Sequence, residues 1–431
     1  MASLLIHNVS QLLTLTGAPQ RGEELGRLDL IEDGGVLIED AKIAAVGPSD
    51  ELLCHYPHAK RLDIHGKAVL PGLIDPHTHL IWAGDRAAEF EMRLQGKTYM
   101  EIMATGGGIA STVKATRNAD PADLYAQARA RAQGMFRNGT TSAEAKSGYG
   151  LELHSELTQL ELLLKLSDEG PLEITPTFLG AHAIAPEYTN QPDVYTDLIC
   201  RKMLPSVKEW WSQHASLRPL PFVDVFCEDG AFNLAQTRRI LMAAKALGFP
   251  LKLHVDEFAN LGGAALAAEL GATSADHLVK TSAADIRALA AGNTVSVALP
   301  CTPFGLAQSE YTPAREILAA GGLLAIASDI NPGTAWCESM QFVIALACRY
   351  LKLTPAQAVA AATINAAAAI RREGEIGSLE PGKQADLLIL SVPDYRQMAY
   401  RFGGNLVDTI IKKGKIYSSS VLSSNYMNFS D

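Results

Sequence analysis

The chain has 431 residues, is 48% hydrophobic and 19% charged, and carries a formal net charge of −10. That length supports one large core with a smaller domain beside it, and the acidic balance, with no basic run, argues against a nucleic-acid binder. No apolar stretch of about 18 residues and no basic n-region at Met1-Ala2-Ser3-Leu4-Leu5-Ile6 are present, so neither a membrane span nor a signal peptide is expected.

The six cysteines form no CxxC pair and read as reduced thiols of a cytoplasmic protein. In chain order, residues 1–64 read as short strands and turns, with a hairpin over Val36–Gly47. A buried strand is expected at Ala68–Ile74, ending in Asp75-Pro76-His77-Thr78-His79. Strand-like runs then alternate with Ala/Leu/Arg-rich helical stretches such as Pro121–Asn138 and Leu234–Leu247. Their polar ends are Glu144–Tyr149, Gly180-Ala181-His182, Cys227–Gly230, His254–Glu257, Asp276-His277, Leu299–Thr302 and Ser328–Asn331. Together these units predict an α/β chain folded as a (β/α)8 TIM-like barrel over residues 65–375, with its chemistry at the C-terminal strand ends. A doubly wound sheet would need a glycine-rich phosphate turn after its first strand, and none is there. Ala385–Leu390 and Val407–Tyr417 again look like strands. Neither end holds enough strands for a stable sheet, so 1–64 and 376–431 are expected to pair into one composite β-domain. The Ser- and Asn-rich tail after Tyr417 reads as poorly ordered.

Five of the 11 histidines, His77, His79, His182, His254 and His277, fall at predicted strand ends. Residues two apart in a strand share a face, so His77 and His79 can hold one divalent metal between them. His254 closes the apolar run from Pro250, and Asp329 closes the run from Leu323. Three imidazoles and one carboxylate leave an open position for a water whose pKa the metal lowers. Zinc and iron both accept that set. His7, His55, His58, His65, His154 and His214 read as surface or packing residues.

The run from Pro71 to Leu80, the run Ser328–Gly333, and the passage from Thr363–Ala366 to Gly377–Asp386 resemble the metal-dependent amidohydrolase superfamily. The resemblance covers nearly the whole chain and implies a metal-bearing (β/α)8 barrel with a β-sandwich made from both termini. The superfamily's two-metal branch has a carboxylated lysine ending its fourth strand. Here that place reads Phe226-Cys227-Glu228-Asp229, while Lys146 lies on the second strand, so one zinc or iron ion per chain is expected. Trp82–Phe90, Gly106–Arg117, Lys146–Leu151, Leu179–His182 and His254–Phe258 are similar to the imidazolonepropionase family. Its members open the ring of 4-imidazolone-5-propanoate with water in histidine degradation, giving N-formimidoyl-L-glutamate.

Such a substrate carries a carboxylate. Arg86 can bind it bidentately, Tyr99 and Tyr149 can add hydroxyl donors, and His182 can donate to the ring or the carboxylate. The resemblance adds substrate contacts at Glu257, Asn331, Gly333 and Thr334. Glu257, three residues after His254, is the candidate proton shuttle. His277 can stabilise an oxyanion or orient the water, and Asp329 can take a proton; the principal base is open among these three. The Gly106-Gly107-Gly108 loop reads as a lid, and the resemblance implies a homodimer. Two other readings remain: a cytosine- or guanine-type deaminase on the same metal site, and a metal-free scaffold. Arg86 argues against the first, and the full ligand set against the second.

Overall fold

The structure, a computed structural model, describes residues 3–97, 101 and 107–418. Its N-terminal strands are β1 (Ser3–Leu13), β2 (Leu30–Glu39), β3 (Lys42–Pro48), β4 (Lys60–Asp63) and β5 (Val69–Pro71). The central strands are β6 (Leu73–Asp75), β7 (Thr140–Lys146), β8 (Glu173–Ala181), β9 (Phe222–Cys227), β10 (Leu251–Val255), β11 (Ser274–His277), β12 (Val295–Ala298) and β13 (Leu324–Ile326). The chain ends with β14 (Leu387–Leu390), β15 (Val407–Lys412) and β16 (Lys415–Ser418).

Strands β6 to β13 pair in sequence order, all parallel, with helices in the connections. The cylinder closes where Thr78 bridges Ile330, supported by His79 N donating to Ile330 O at 2.9 Å. Asp75 reinforces the seam, accepting from Ser328 N at 3.1 Å and Ser328 Oγ at 2.5 Å. This is the expected barrel. Helix starts follow local chemistry: Asp120 caps the helix Pro121–Arg137 by accepting from Ala122 N, and Asn233 with Gln236 forms a capping box for Leu234–Ala246.

Strand alternation sorts the barrel residues. Ala143, Ala145, Val223, Val225, Leu251, Leu253, Val255 and Ala275 join the main apolar core. Intervening positions on the same strands carry Glu144, Lys146, Asp224, Lys252, His254 and Asp276, all buried. Charge therefore sits inside the barrel, and the apolar layer lies between strands and helices.

The terminal strands form a second, mixed sheet in the order β16-β15-β14-β5-β1-β2-β3, with β4 on β1. Ile6, Val36, Ile38, Val69, Leu387, Ile389 and Ile411 share one apolar core, so both chain ends close a single small unit. The run Ala68–Ile74, expected as one strand, is two. β5 pairs with β1 and β14 in the terminal sheet, whereas β6 enters the barrel. Gly72 makes the crossing, because a Cβ there would lie 2.2 Å from Thr141 Oγ1. Val407–Tyr417 likewise splits into a hairpin, because Lys413 and Gly414 both take positive φ, as a tight two-residue turn requires. An ionic cluster ties this sheet to the barrel. Lys412 Nζ lies 2.6 Å from Glu173 Oε2 at the start of β8 and 2.6 Å from Asp386 Oδ2, and Lys413 Nζ lies 2.6 Å from Glu173 Oε1.

All six cysteines are free. Among the described residues no helix is long and apolar enough to cross a membrane. The tail expected to be poorly ordered lies outside the described residues from position 419 onward.

Candidate active site

The five strand-end histidines converge at the C-terminal mouth of the barrel. His77 and His79 follow β6, His182 follows β8, His254 lies on β10, and His277 ends β11. Nε2 of His254 lies 3.4 Å from Nε2 of His79, and Asp329 Oδ1 lies 3.6 Å from His77 Nε2 and 3.5 Å from His79 Nε2. Two triples have donor atoms close enough for a metal ion: His77 with His79 and His254, and His77 with His277 and Asp329. They share His77 and bring together the four expected ligands, with His277 beside them.

The donor atoms pass a simple test of fit. His77 Nε2 is buried with no hydrogen-bond partner, and two imidazole nitrogens face each other across 3.4 Å. Buried polar atoms are rarely left in that state, and a cation among them satisfies all of them at once. The far sides of the His77 and His254 rings agree, while His79 Nδ1 is buried without a partner among the described residues. His77 Nδ1 lies 2.6 Å from Asp276 Oδ2, and His254 Nδ1 lies 3.0 Å from Asp224 Oδ2. A carboxylate accepts only, so each Nδ1 carries the ring proton and each Nε2 turns a lone pair to the centre. Thr302 does the same for Asp329. Its hydroxyl donates to Oδ2 at 2.5 Å and leaves Oδ1 facing the histidines.

Beneath these rings lies a layer of buried charge that the sequence reading missed. Lys146 Nζ sits 2.7 Å from Glu144 Oε1 and 2.8 Å from Asp224 Oδ2. Burial opposes its charge, but Asp224 and Glu144 raise its pKa above the ordinary lysine value. Burial likewise opposes ionisation of Asp224, yet His254 and Lys146 hold its carboxyl below the usual range. Lys252 Nζ donates to Pro76 O at 3.2 Å and Ala369 O at 3.1 Å, and lies 3.7 Å from Asp276 Oδ2. Lys146 is thus a counter-ion to Asp224 and Glu144. The available signal was a charged residue between apolar neighbours within short strands, as at Glu144, Asp224 and Lys252.

The remaining candidates lie around the cluster and the loop after Asp329. Glu257 is buried, and burial with Asp329 and Glu228 nearby pushes its pKa well above the carboxylate range. Its Oε2 lies 3.6 Å from His277 Nε2. Burial lowers the His277 pKa to about 3, so that ring is neutral. His182 stacks on His79 with centroids 4.9 Å apart, and its Nδ1 lies 3.0 Å from Gly148 O. A carbonyl cannot donate, so Nδ1 holds the proton. Burial lowers the ring's pKa, so Nε2 presents a lone pair. His182 is therefore an acceptor toward the pocket, where the sequence suggested a donor.

Tyr149 is buried beside His79 and His182, with ring centroids 5.9 Å and 5.2 Å away. Burial raises its phenol pKa, so it stays a donor. Its loop is shaped by the buried Glu156, which accepts from Gly148 N at 3.0 Å, Gly150 N at 2.8 Å and Leu151 N at 2.7 Å. Asn331 builds the loop after β13: its Oδ1 accepts from Gly333 N and Thr334 N at 2.8 Å each, and its Nδ2 donates to Asp329 O at 2.7 Å. Arg86 lies against that loop at Gly333. Tyr99 and Gly106 lie outside the described residues, and with them part of the expected lid.

A barrel of this kind with a histidine cluster at its mouth has counterparts among known proteins. The model of the amidohydrolase family matches residues 68–417, and that of an imidazolonepropionase-like composite domain of bacteria matches residues 34–59. The chain is similar in fold to an adenosine deaminase from Xanthomonas campestris solved with bound zinc (TM-score 0.72, 20% identity, 98% of this chain and 97% of that one). It is also similar to a guanine deaminase from Bradyrhizobium japonicum (TM-score 0.66, 17% identity, 97% and 100%). Much greater similarity joins it to imidazolonepropionases. The protein of Herpetosiphon aurantiacus is 50% identical over 96% of this chain and 97% of its own length. Those of Chloroflexus aggregans and Geobacillus kaustophilus are each 48% identical over 96% of this chain and 98% of their own length. The chain belongs to the amidohydrolase family and, within it, to the imidazolonepropionases.

Proposed function

We propose that the chain opens the ring of 4-imidazolone-5-propanoate with water, in histidine degradation, giving N-formimidoyl-L-glutamate. His77, His79, His254 and Asp329 would hold one zinc or iron ion per chain. The observation that carries this reading is a guanidinium, Arg86, packed against Gly333 in the loop that follows Asp329 of a histidine–aspartate cluster, in a chain half identical to an imidazolonepropionase. Six free cysteines fit a reducing, cytoplasmic setting.

A divalent ion bound at this centre would supply Lewis acidity to a carbonyl and lower the pKa of water toward neutrality. The chain's own residues do the rest. Arg86 and the Tyr149 hydroxyl bind the propanoate and orient the ring. His182 Nε2 accepts from a ring N–H. Asp329 Oδ1 takes the proton released by the attacking water, while Thr302 holds Oδ2. His277, neutral, orients that water beside Glu257. Glu257, kept in its acid form by burial, donates to the departing ring nitrogen. The carbonyl carbon gains oxygen and the carbon–nitrogen bond breaks. The nitrogen keeps its link through the formimidoyl carbon, so one open-chain product forms and no ammonia leaves.

Incubation with imidazolone propanoate in ¹⁸O-water, followed by mass spectrometry, tests the reading. One ¹⁸O in the new carboxylate without ammonia is expected. Stoichiometric ammonia in the first turnover would point to a deaminase and overturn it.

A further inference from the structure

Arg86 stands just before the helix Ala87–Leu94, and its guanidinium is held on two sides. On one side Nε donates to Thr112 Oγ1 at 3.1 Å, from the helix Ile109–Asn118. Thr112 is buried, at 4% exposure. On the other side the guanidinium fills the space beside Gly333, where a Cβ would lie 2.5 Å from Arg86 Nη1 and 3.2 Å from Cζ. Arg93, on the same helix as its neighbour Glu89, donates to Gly333 O at 3.0 Å and so fixes that backbone against the arginine. Glu89 joins the two helices: its Oε1 accepts from Gly108 N at 3.0 Å and from Ser111 Oγ at 3.3 Å.

An arginine side chain has much rotamer freedom to lose, and its guanidinium recognises a carboxylate best through two parallel N–H bonds. With Nε bound to Thr112, the edge left to a ligand is the pair of terminal amino groups. We infer that Thr112 is a positioning residue for acid recognition: it holds Nε and thereby aims the terminal fork of Arg86 at the substrate's carboxylate before substrate arrives. The inference rests on the proposed role of Arg86 as the propanoate anchor. Preorganisation of this kind improves affinity by removing an ordering cost from the binding step. Thr112 touches none of the reacting groups, so its effect belongs in KM and in selectivity.

The test compares Thr112→Val, Thr112→Ser and Arg86→Ala in the metal-loaded enzyme, with the imidazolone propanoate and its propanamide analogue as substrates. Thr112→Val keeps the shape and removes the acceptor. KM for the acid should rise roughly tenfold, the loss expected for one hydrogen bond to a charged group. Its kcat should change less than about twofold, and the acid-over-amide preference should fall by the same factor as KM rises. Thr112→Ser should restore both, and calorimetry with N-formimidoyl-L-glutamate should give the same order of affinities without turnover. Where Arg86→Ala abolishes the preference but Thr112→Val leaves KM and preference unchanged, Thr112 has no such role. A fall in kcat that Thr112→Ser does not rescue would make it a merely structural residue and equally overturn the inference. Where Arg86→Ala itself leaves the preference intact, the carboxylate anchor fails and this inference fails with it.

Discussion

Replacing Asp224 by asparagine should weaken metal binding without removing any ligand. In the native site Asp224 Oδ2 lies 3.0 Å from His254 Nδ1 and 2.8 Å from Lys146 Nζ, and Oδ1 accepts from His254 N at 3.2 Å. Asparagine keeps the shape but must turn its amide nitrogen toward one side. With Oδ1 still on the backbone N–H, the amide faces His254 Nδ1 and donates to it. That moves the ring proton to Nε2, the atom that faces His79 and that the proposed function assigns to the metal. Lys146 also loses one of its two anionic partners in a fully buried position. Outer partners of metal-ligating histidines contribute about 10–100-fold in metal affinity, equivalent to about 1.4–2.7 kcal/mol. The assay is competition with a chelator, following metal retained per chain in wild type and Asp224→Asn, with thermal unfolding of both apo-proteins to read the cost at Lys146. A variant that retains metal as tightly as wild type would refute the tautomer argument, whatever its stability.

Glu257→Gln should keep its metal and lose on the order of 10²-fold or more in kcat, because an amide cannot pass a proton to the departing nitrogen. The wild-type rate should fall on the alkaline side as the raised Glu257 acid ionises; a near-normal rate in the variant, or no alkaline limb in wild type, would contradict the assignment. Glu173→Gln addresses stability. Burial opposes its charge, but Lys412 and Arg372 hold the folded-state pKa below the ordinary 4.5. Its contribution is therefore complete above about pH 4.5 and is lost as pH falls further. The variant should cost about 3 kcal/mol at pH 7 and show a shallower acid decline of Tm than wild type, and parallel curves would refute the claim.

The alternation of apolar strand and polar end carries its own meaning in a sequence. A β-strand repeats every two residues, so His77 and His79 announce a shared face, and His254 and Asp329 announce strand ends, before any partner is known. For the same reason the eight-unit barrel and the hairpin near Val36 were legible. Arg86 was legible as a cation close to the strand ends, but the groups that hold it were not, because Thr112 and Gly333 lie far from it in the chain and meet it only through packing. Val69 and Leu73 belong to different sheets within one apolar run, since hydrophobicity is blind to which neighbour supplies the backbone hydrogen bonds. Asp224 and Lys252, and the buried partners of Lys146 and Asp276, were hidden differently. A charged residue in a strand reads as solvent-facing by default, and only the closure of eight strands into a cylinder turns that face inward, where each charge needs a partner from another strand. The sequence by itself determined which groups could meet around a metal. The tertiary structure decided which lone pair His77 and His254 offer, because the carboxylate on the far side of each of these two rings comes from a distant strand.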